Sequence, residues 1–338
     1  MKRIIALLLV LVMMIGLTAC DSNKSKNVTM QIASITSAKS DSYEYICESM
    51  FADLIKEYSD GTVNAEYYPA SQLGSSTELV EAVGLGTVQS TLGICYDIYA
   101  NIEPMCMLSC MPYLFKDYEH FKAFLETEGS VNEKVNAALA ESSDILVLGY
   151  IYRAARVTIT KDKGIAKPDD FKGMVIRSPE STVNVKWLES MGAMPVTITW
   201  SELFTSLSQG AAAGAENSIT TIVDSNLQDV VDFCAETNHM MAVNMLTVNK
   251  TWFESLSDEQ QEAIQKAADE VTAYSWTAFQ EAINNAWTAF EDAGATCIRS
   301  EDIAFEEFQA KSADVYKYFV KEGYFTEEDY LTALNMAY

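Results

Sequence analysis

From Asp258 to Ala293 the chain runs without a proline or a glycine. Apolar residues recur through it at helical spacing, among them Ile264, Ala267, Ala268, Val271, Phe279, Ile283, Trp287 and Phe290. Ser257 followed by Gln260 forms a capping-box start, and Gly294 supplies a stop. The pattern predicts a helix of roughly 36 residues and 54 Å. That is longer than one small domain is wide. In a bilobed protein such a helix runs across both lobes and ties them together.

The segments before it alternate. Val28–Ile32 reads as a half-buried strand, and Tyr43–Tyr58 carries Ile46, Met50, Phe51, Leu54 and Ile55 at helical spacing. Strands are predicted at Val63–Tyr67, about Val88–Ile94, Ile145–Tyr150, Arg156–Thr160, Met174–Ser178 and Val196–Thr199, with helical patterns between most of them, Thr77–Leu85 included. The alternation implies an α/β fold with largely parallel sheets.

The chain begins with the three parts of an export signal: basic Lys2 and Arg3, an apolar run from Ile4 to Leu17, and small residues before Cys20. Leu17-Thr18-Ala19-Cys20 resembles a lipobox, so Cys20 is the expected lipidation site after removal of residues 1–19, and residues 21–27 are a polar tether. The formal net charge is −25, and because Lys2 and Arg3 are the only charges in residues 1–19, the remainder stands at −27. Such a charge disfavours nucleic acid and leaves any anionic ligand to be met by locally buried cations. The six cysteines beyond Cys20 are irregularly spaced, and the two histidines, His120 and His239, are far apart, so neither a disulfide framework nor a metal site is expected.

Arginine is scarce: beyond residue 19 there are Arg153, Arg156, Arg177 and Arg299, three of them close together. Arginine offers a planar fork for a carboxylate and stays charged when buried. Arg177 follows Met174-Val175-Ile176 and so stands at the carboxyl end of a strand, where open α/β sheets present ligand sites. Salt bridges within the protein are the competing reading, weightiest for Arg153. Trp200, at a helix start, would wall a ligand, and Asn217, after the small residues 210–215, would donate to and accept from one. No acid/base pair, nucleophile elbow or HExxH helix is apparent, so an enzyme is not expected.

These residues carry a resemblance to the DctP-type solute-binding proteins of TRAP (tripartite ATP-independent periplasmic) transporters, in a lipoprotein form. Pro69-Ala70-Ser71-Gln72-Leu73-Gly74, Pro112-Tyr113-Leu114-Phe115, the stretch from Asp170 through Arg177 to Pro179, Gly192 through Phe204 to Glu216-Asn217, and Thr237-Asn238-His239 follow the family's motifs in order. The resemblance implies a two-lobed periplasmic-binding-protein-like fold, with lobe I from 28–152 plus 243–282 and lobe II from 153–242 plus 283–338. It implies that Arg177 clamps the ligand carboxylate and Asn217 secures it, with Arg156 a second arginine and Trp200 a pocket wall. Ala154 replaces the usual glycine before Arg156. Ala215-Glu216-Asn217 looks more like sugar-acid binders, such as those for uronates, than binders of C4-dicarboxylates, and Ile94 stands where sialic-acid binders carry an acid. First-lobe contacts are expected around Ser37, Tyr96 or Glu78. The implied partners are a small organic anion, the small and large membrane subunits of a TRAP permease, and the membrane through Cys20. No cofactor, metal or nucleic acid is expected, and the protein is expected to act as a monomer outside the cell membrane. The alternative is a carboxylate-binding lipoprotein of an ABC-type importer or a sensor.

Overall fold

The computed structural model describes residues 27–338, so the export signal and Cys20 lie outside the described residues. The strands in chain order are β1 (Val28–Ser34), β2 (Val63–Tyr68), β3 (Ser90–Leu92), β4 (Ile145–Tyr152), β5 (Arg156–Thr160), β6 (Val175–Ser178), β7 (Met194–Thr197), β8 (Gly214–Ser218), β9 (Phe233–Ala235), β10 (Val243–Asn249) and β11 (Thr296–Ile298). They form two sheets, ordered β2-β1-β3-β10-β4 and β11-β9-β5-β8-β6-β7, each flanked by helices. The result is the expected two-lobed α/β architecture.

The sheets are mixed, which corrects the expectation of largely parallel ones. β10 runs antiparallel to β3 and β4, and β5 runs antiparallel to β8 and β9. The cause is the connection between lobes. The chain passes from β4 straight into β5 through Arg153–Ala155, and returns to β10 through residues 236–242, with no helix to bring it back to the same end of a sheet. The two passages lie side by side, with Arg153 N–H on the Ala242 carbonyl (3.2 Å) and Arg156 N–H on the Met240 carbonyl (2.8 Å).

The long helix spans Asp258–Asp292, with the Ser257–Gln260 capping box at its start. It packs on the helix Tyr43–Tyr58 and β4 in the first lobe, and on the helix Ile219–Asp224 and β11 in the second. Ile264, Ala267, Ala268 and Val271 join the core beneath β1, β2 and β10, whereas Phe279, Ile283, Trp287 and Phe290 join the larger core of the other end. One amphipathic helix thus closes two cores. β7 begins and ends two residues earlier than the sequence pattern predicts, because the Ile198 carbonyl is turned to Arg177 and Thr199 becomes the cap of the helix Trp200–Ser208.

Candidate functional site

A cleft lies between the lobes, with a cavity volume of about 60 Å³. Its second-lobe wall carries Arg156, Arg177, Pro179, Trp200, Asn217 and Thr221, and its first-lobe wall Ile35, Thr36, Glu44, Ser76, Gly93, Ile94, Cys95, Asp97 and Ile98, with Arg153 at the crossover. All four sequence-predicted ligand residues, Arg177, Asn217, Arg156 and Trp200, therefore come together. Gly93 forms the floor. With φ +73°, a Cβ there would lie 2.4 Å from Ser34 Oγ and 2.7 Å from Thr36 Oγ1.

Three guanidiniums meet in this space with different company. Arg153 donates Nε to Glu44 Oε1 (3.1 Å), Nη1 to Cys95 Sγ (2.8 Å) and Asn244 Oδ1 (3.1 Å), and Nη2 to Asn217 Oδ1 (2.9 Å) and the Thr221 hydroxyl. Thr220 and Thr221 of the second lobe also donate to Glu44 Oε1 (3.2 and 2.6 Å), so Glu44 joins the lobes beside the hinge. At the far rim Thr77 donates to the Glu180 carboxylate, and Asn101 Nδ2 to the Glu180 carbonyl (2.8 Å).

Arg156 is committed to Glu216. Nε bonds Glu216 Oε2, and Nη2 bonds Oε1 (2.8 Å) and the Glu216 carbonyl (3.1 Å). Asn184 Nδ2 (3.1 Å) and His239 Nε2 (3.2 Å) complete the shell of this fully buried carboxylate. Burial alone would raise the Glu216 pKa, but the charge and bonds of Arg156, with help from His239, hold it at about 2. Burial likewise opposes the Arg156 cation, and Glu216 raises it above the ordinary arginine range. Only Nη1 of Arg156 is left, 3.5 Å from Asn217 Oδ1.

Arg177 differs. It is 3 % exposed, donates Nε to the Ile198 carbonyl (2.8 Å), and lies 5.5 Å from the centroid of the Trp200 ring. Among the described residues no carboxylate lies within ion-pair distance of it, and its two Nη groups have no acceptor. Burial lowers its pKa to about 10 despite the more distant Glu216. A buried cation in that state lacks an anion.

Asn217 is oriented by the same arginines. Its Oδ1 accepts from Arg153, from Arg156 and from Ser218 N–H (2.8 Å), so Nδ2 is the group left to donate into the cleft. The first-lobe stretches expected to reach the ligand meet the cleft through neighbouring residues. Thr36, Ser76 and Asp97 line the cleft, while Tyr96 bonds Asn136 (2.8 Å) and Tyr150 (3.0 Å), and Glu78 caps its own helix at Ser75. Glu44, Asp97 and Thr221 were not expected. Nothing in their sequence context separates them from other acids and hydroxyls near helix starts.

A hinged pair of lobes around a buried, anion-seeking cleft defines a solute receptor. The chain belongs to the DctP family, the bacterial extracellular solute-binding proteins of family 7, whose model matches residues 32–322. It is similar to a solute-binding protein of Roseobacter denitrificans, 27% identical over 256 residues (76% of this chain and 77% of that protein). It is also similar to the 2,3-diketo-L-gulonate-binding periplasmic protein of Escherichia coli, 26% identical over 259 residues (77% and 78%). A crystal structure of a TRAP periplasmic solute-binding protein from Roseobacter denitrificans with bound β-D-glucuronate superposes with a TM-score of 0.86 at 22% identity, covering 92% of this chain and 100% of that one. The family is a substrate-binding component of transport, extracytoplasmic in location.

Proposed function

We propose that the cleft captures a small carboxylate, a sugar acid such as a uronate in first place and a C4-dicarboxylate next, and delivers it to a TRAP-type permease by lobe closure. The observation that carries this is Arg177: a buried guanidinium aimed into the cleft with no carboxylate of its own. A ligand carboxylate there forms two charge-assisted hydrogen bonds with the Nη groups, and Asn217 Nδ2 supplies a third. Trp200 walls the anion site, and Arg156 Nη1 adds positive potential from behind Asn217. Closure excludes water and strengthens the pair. The glucuronate and diketogulonate ligands of similar proteins support a sugar acid, and a relative that binds C4-dicarboxylates keeps those as the next choice.

Lobe I comprises 28–152 plus 243–282, and lobe II 153–242 plus 283–338, with the carboxylate held first by lobe II. Cys20 tethers the receptor to the membrane as a lipoprotein, beside the permease it feeds. Thermal-shift and calorimetric titration with D-glucuronate, D-galacturonate, L-gulonate and succinate test the ligand class. Saturable binding that Arg177→Ala abolishes is expected, and binding untouched by Arg177→Ala sinks the proposal. Release of the protein from membranes by Cys20→Ala tests the tether.

A further inference from the structure

One acid of the cleft is left over. Asp97 sits on the short helix Tyr96–Tyr99 of the first lobe, is 5 % exposed, and lines the same cleft as Arg177 and Asn217. Glu44 is taken by Arg153 and two threonines, and Glu216 by Arg156, Asn184 and His239. Among the described residues Asp97 forms no ion pair, and the Ser181 hydroxyl is the only side-chain donor that acts on it. Burial raises its pKa, and the charges of Arg156 and Arg153, together with Ser181, oppose that rise. A buried carboxylate with two oxygens and a single hydroxyl donor is short of partners. The missing donor belongs to whatever fills the cleft.

Charge narrows that occupant. Arg153 is paired with Glu44 and Arg156 with Glu216, which leaves Arg177 and Asp97 unpaired on facing walls, and with Asp97 ionised the sum is zero before a ligand arrives. One carboxylate at Arg177 makes it singly negative. A second, reaching the first-lobe wall, would stand against Asp97 in a space with little water, where like charges strongly disfavour one another. Hydroxyls in that place would instead donate to Asp97.

We infer that Asp97 is a specificity-determining residue: it accepts hydrogen bonds from the hydroxyls of a hydroxy-monocarboxylate and rejects dicarboxylates of the same length. This rests on the ligand carboxylate sitting at Arg177, and it ranks sugar acids above the C4-dicarboxylates that Arg177 alone would also hold.

The test is calorimetric titration of the wild-type protein with D-glucuronate, D-galacturonate, L-gulonate and L-galactonate. Glucarate and galactarate, which add a carboxylate at the far end, are run beside them with succinate and γ-aminobutyrate. At least one hydroxy-monocarboxylate is expected to bind about 100-fold more tightly than its dicarboxylate counterpart and than succinate. Asp97→Asn, which keeps the side chain's shape, is expected to weaken that ligand about 10-fold and to narrow the ratio. Equal binding of the dicarboxylate by the wild type overturns the inference, as does an Asp97→Asn variant with an unchanged ratio. Binding confined to γ-aminobutyrate, whose donor is an ammonium, overturns it too. Arg177→Ala separates the two levels. If it abolishes binding of a dicarboxylate that the wild type holds well, only the role of Asp97 falls; if it leaves binding intact, the clamp falls as well.

Discussion

One wall of the cleft carries two arginines, and the chain treats them in opposite ways. At the seam of β5 and β8, Arg156 is surrounded by the carboxylate and carbonyl of Glu216, and the acid is further held by Asn184 and His239. On β6, beyond β8, Arg177 has one carbonyl, one aromatic ring and open space. Both are buried and both are cations, so neither burial nor charge tells them apart. The census of acceptors does. A charge whose partners are all supplied by the chain is part of the fold, and a charge left short of partners is prepared for something else.

The largest expected effect is at Arg156. Arg156→Ala strands the Glu216 carboxylate in the core and should cost about 3–5 kcal/mol of stability in urea denaturation. Arg177→Ala removes a cation that has no counter-ion, and should leave stability within about 1 kcal/mol of the wild type or raise it. Equal losses in the two variants would erase the distinction between the two arginines. Affinity should reverse the ranking. Arg177→Ala should lose about 2–5 kcal/mol of carboxylate binding in calorimetry, and Arg177→Lys should recover little of it, because a point charge does not reproduce the fork.

Acid sharpens the contrast. Glu216 titrates at about 2 in the folded protein against an ordinary 4.5, so its contribution is full above about 4.5 and is lost as pH falls towards 2. Stability measured over that window should fall in the wild type and fall less steeply in Glu216→Gln, which has no proton to gain there. A slope identical in both would mean that the Arg156 pair is not what acid breaks. The smallest effect concerns the ring beside Arg177. Trp200→Leu should weaken carboxylate binding by about 0.5–2 kcal/mol with no change in ligand preference.

Arg177 was more legible in the sequence than Arg156 with its partner. Arg177 closes an apolar triplet before Ser178-Pro179, which identifies a strand end, and β6 ends at Ser178. The long helix was legible because its caps and its period agree, and it begins and ends within a residue of the pattern. The pairing of Arg156 with Glu216 was not. It depends on β8, whose Gly214-Ala215-Glu216-Asn217-Ser218 lacks β-branched and aromatic residues and becomes a strand only between β5 and β6. β10 lies antiparallel for a similarly non-local reason, the double passage between lobes. Asp97 was missed by one position: the expected contact was its neighbour Tyr96, whose hydroxyl turns to Asn136 and Tyr150 instead.

The most direct measurement is a crystal structure with a bound sugar acid. The carboxylate should lie on the Nη groups of Arg177, with N–O distances of about 2.7–2.9 Å, while Arg156 keeps both bonds to the Glu216 carboxylate. A carboxylate seated on Arg156, with Glu216 displaced and Arg177 still without an anion, would contradict the division of labour between the two arginines.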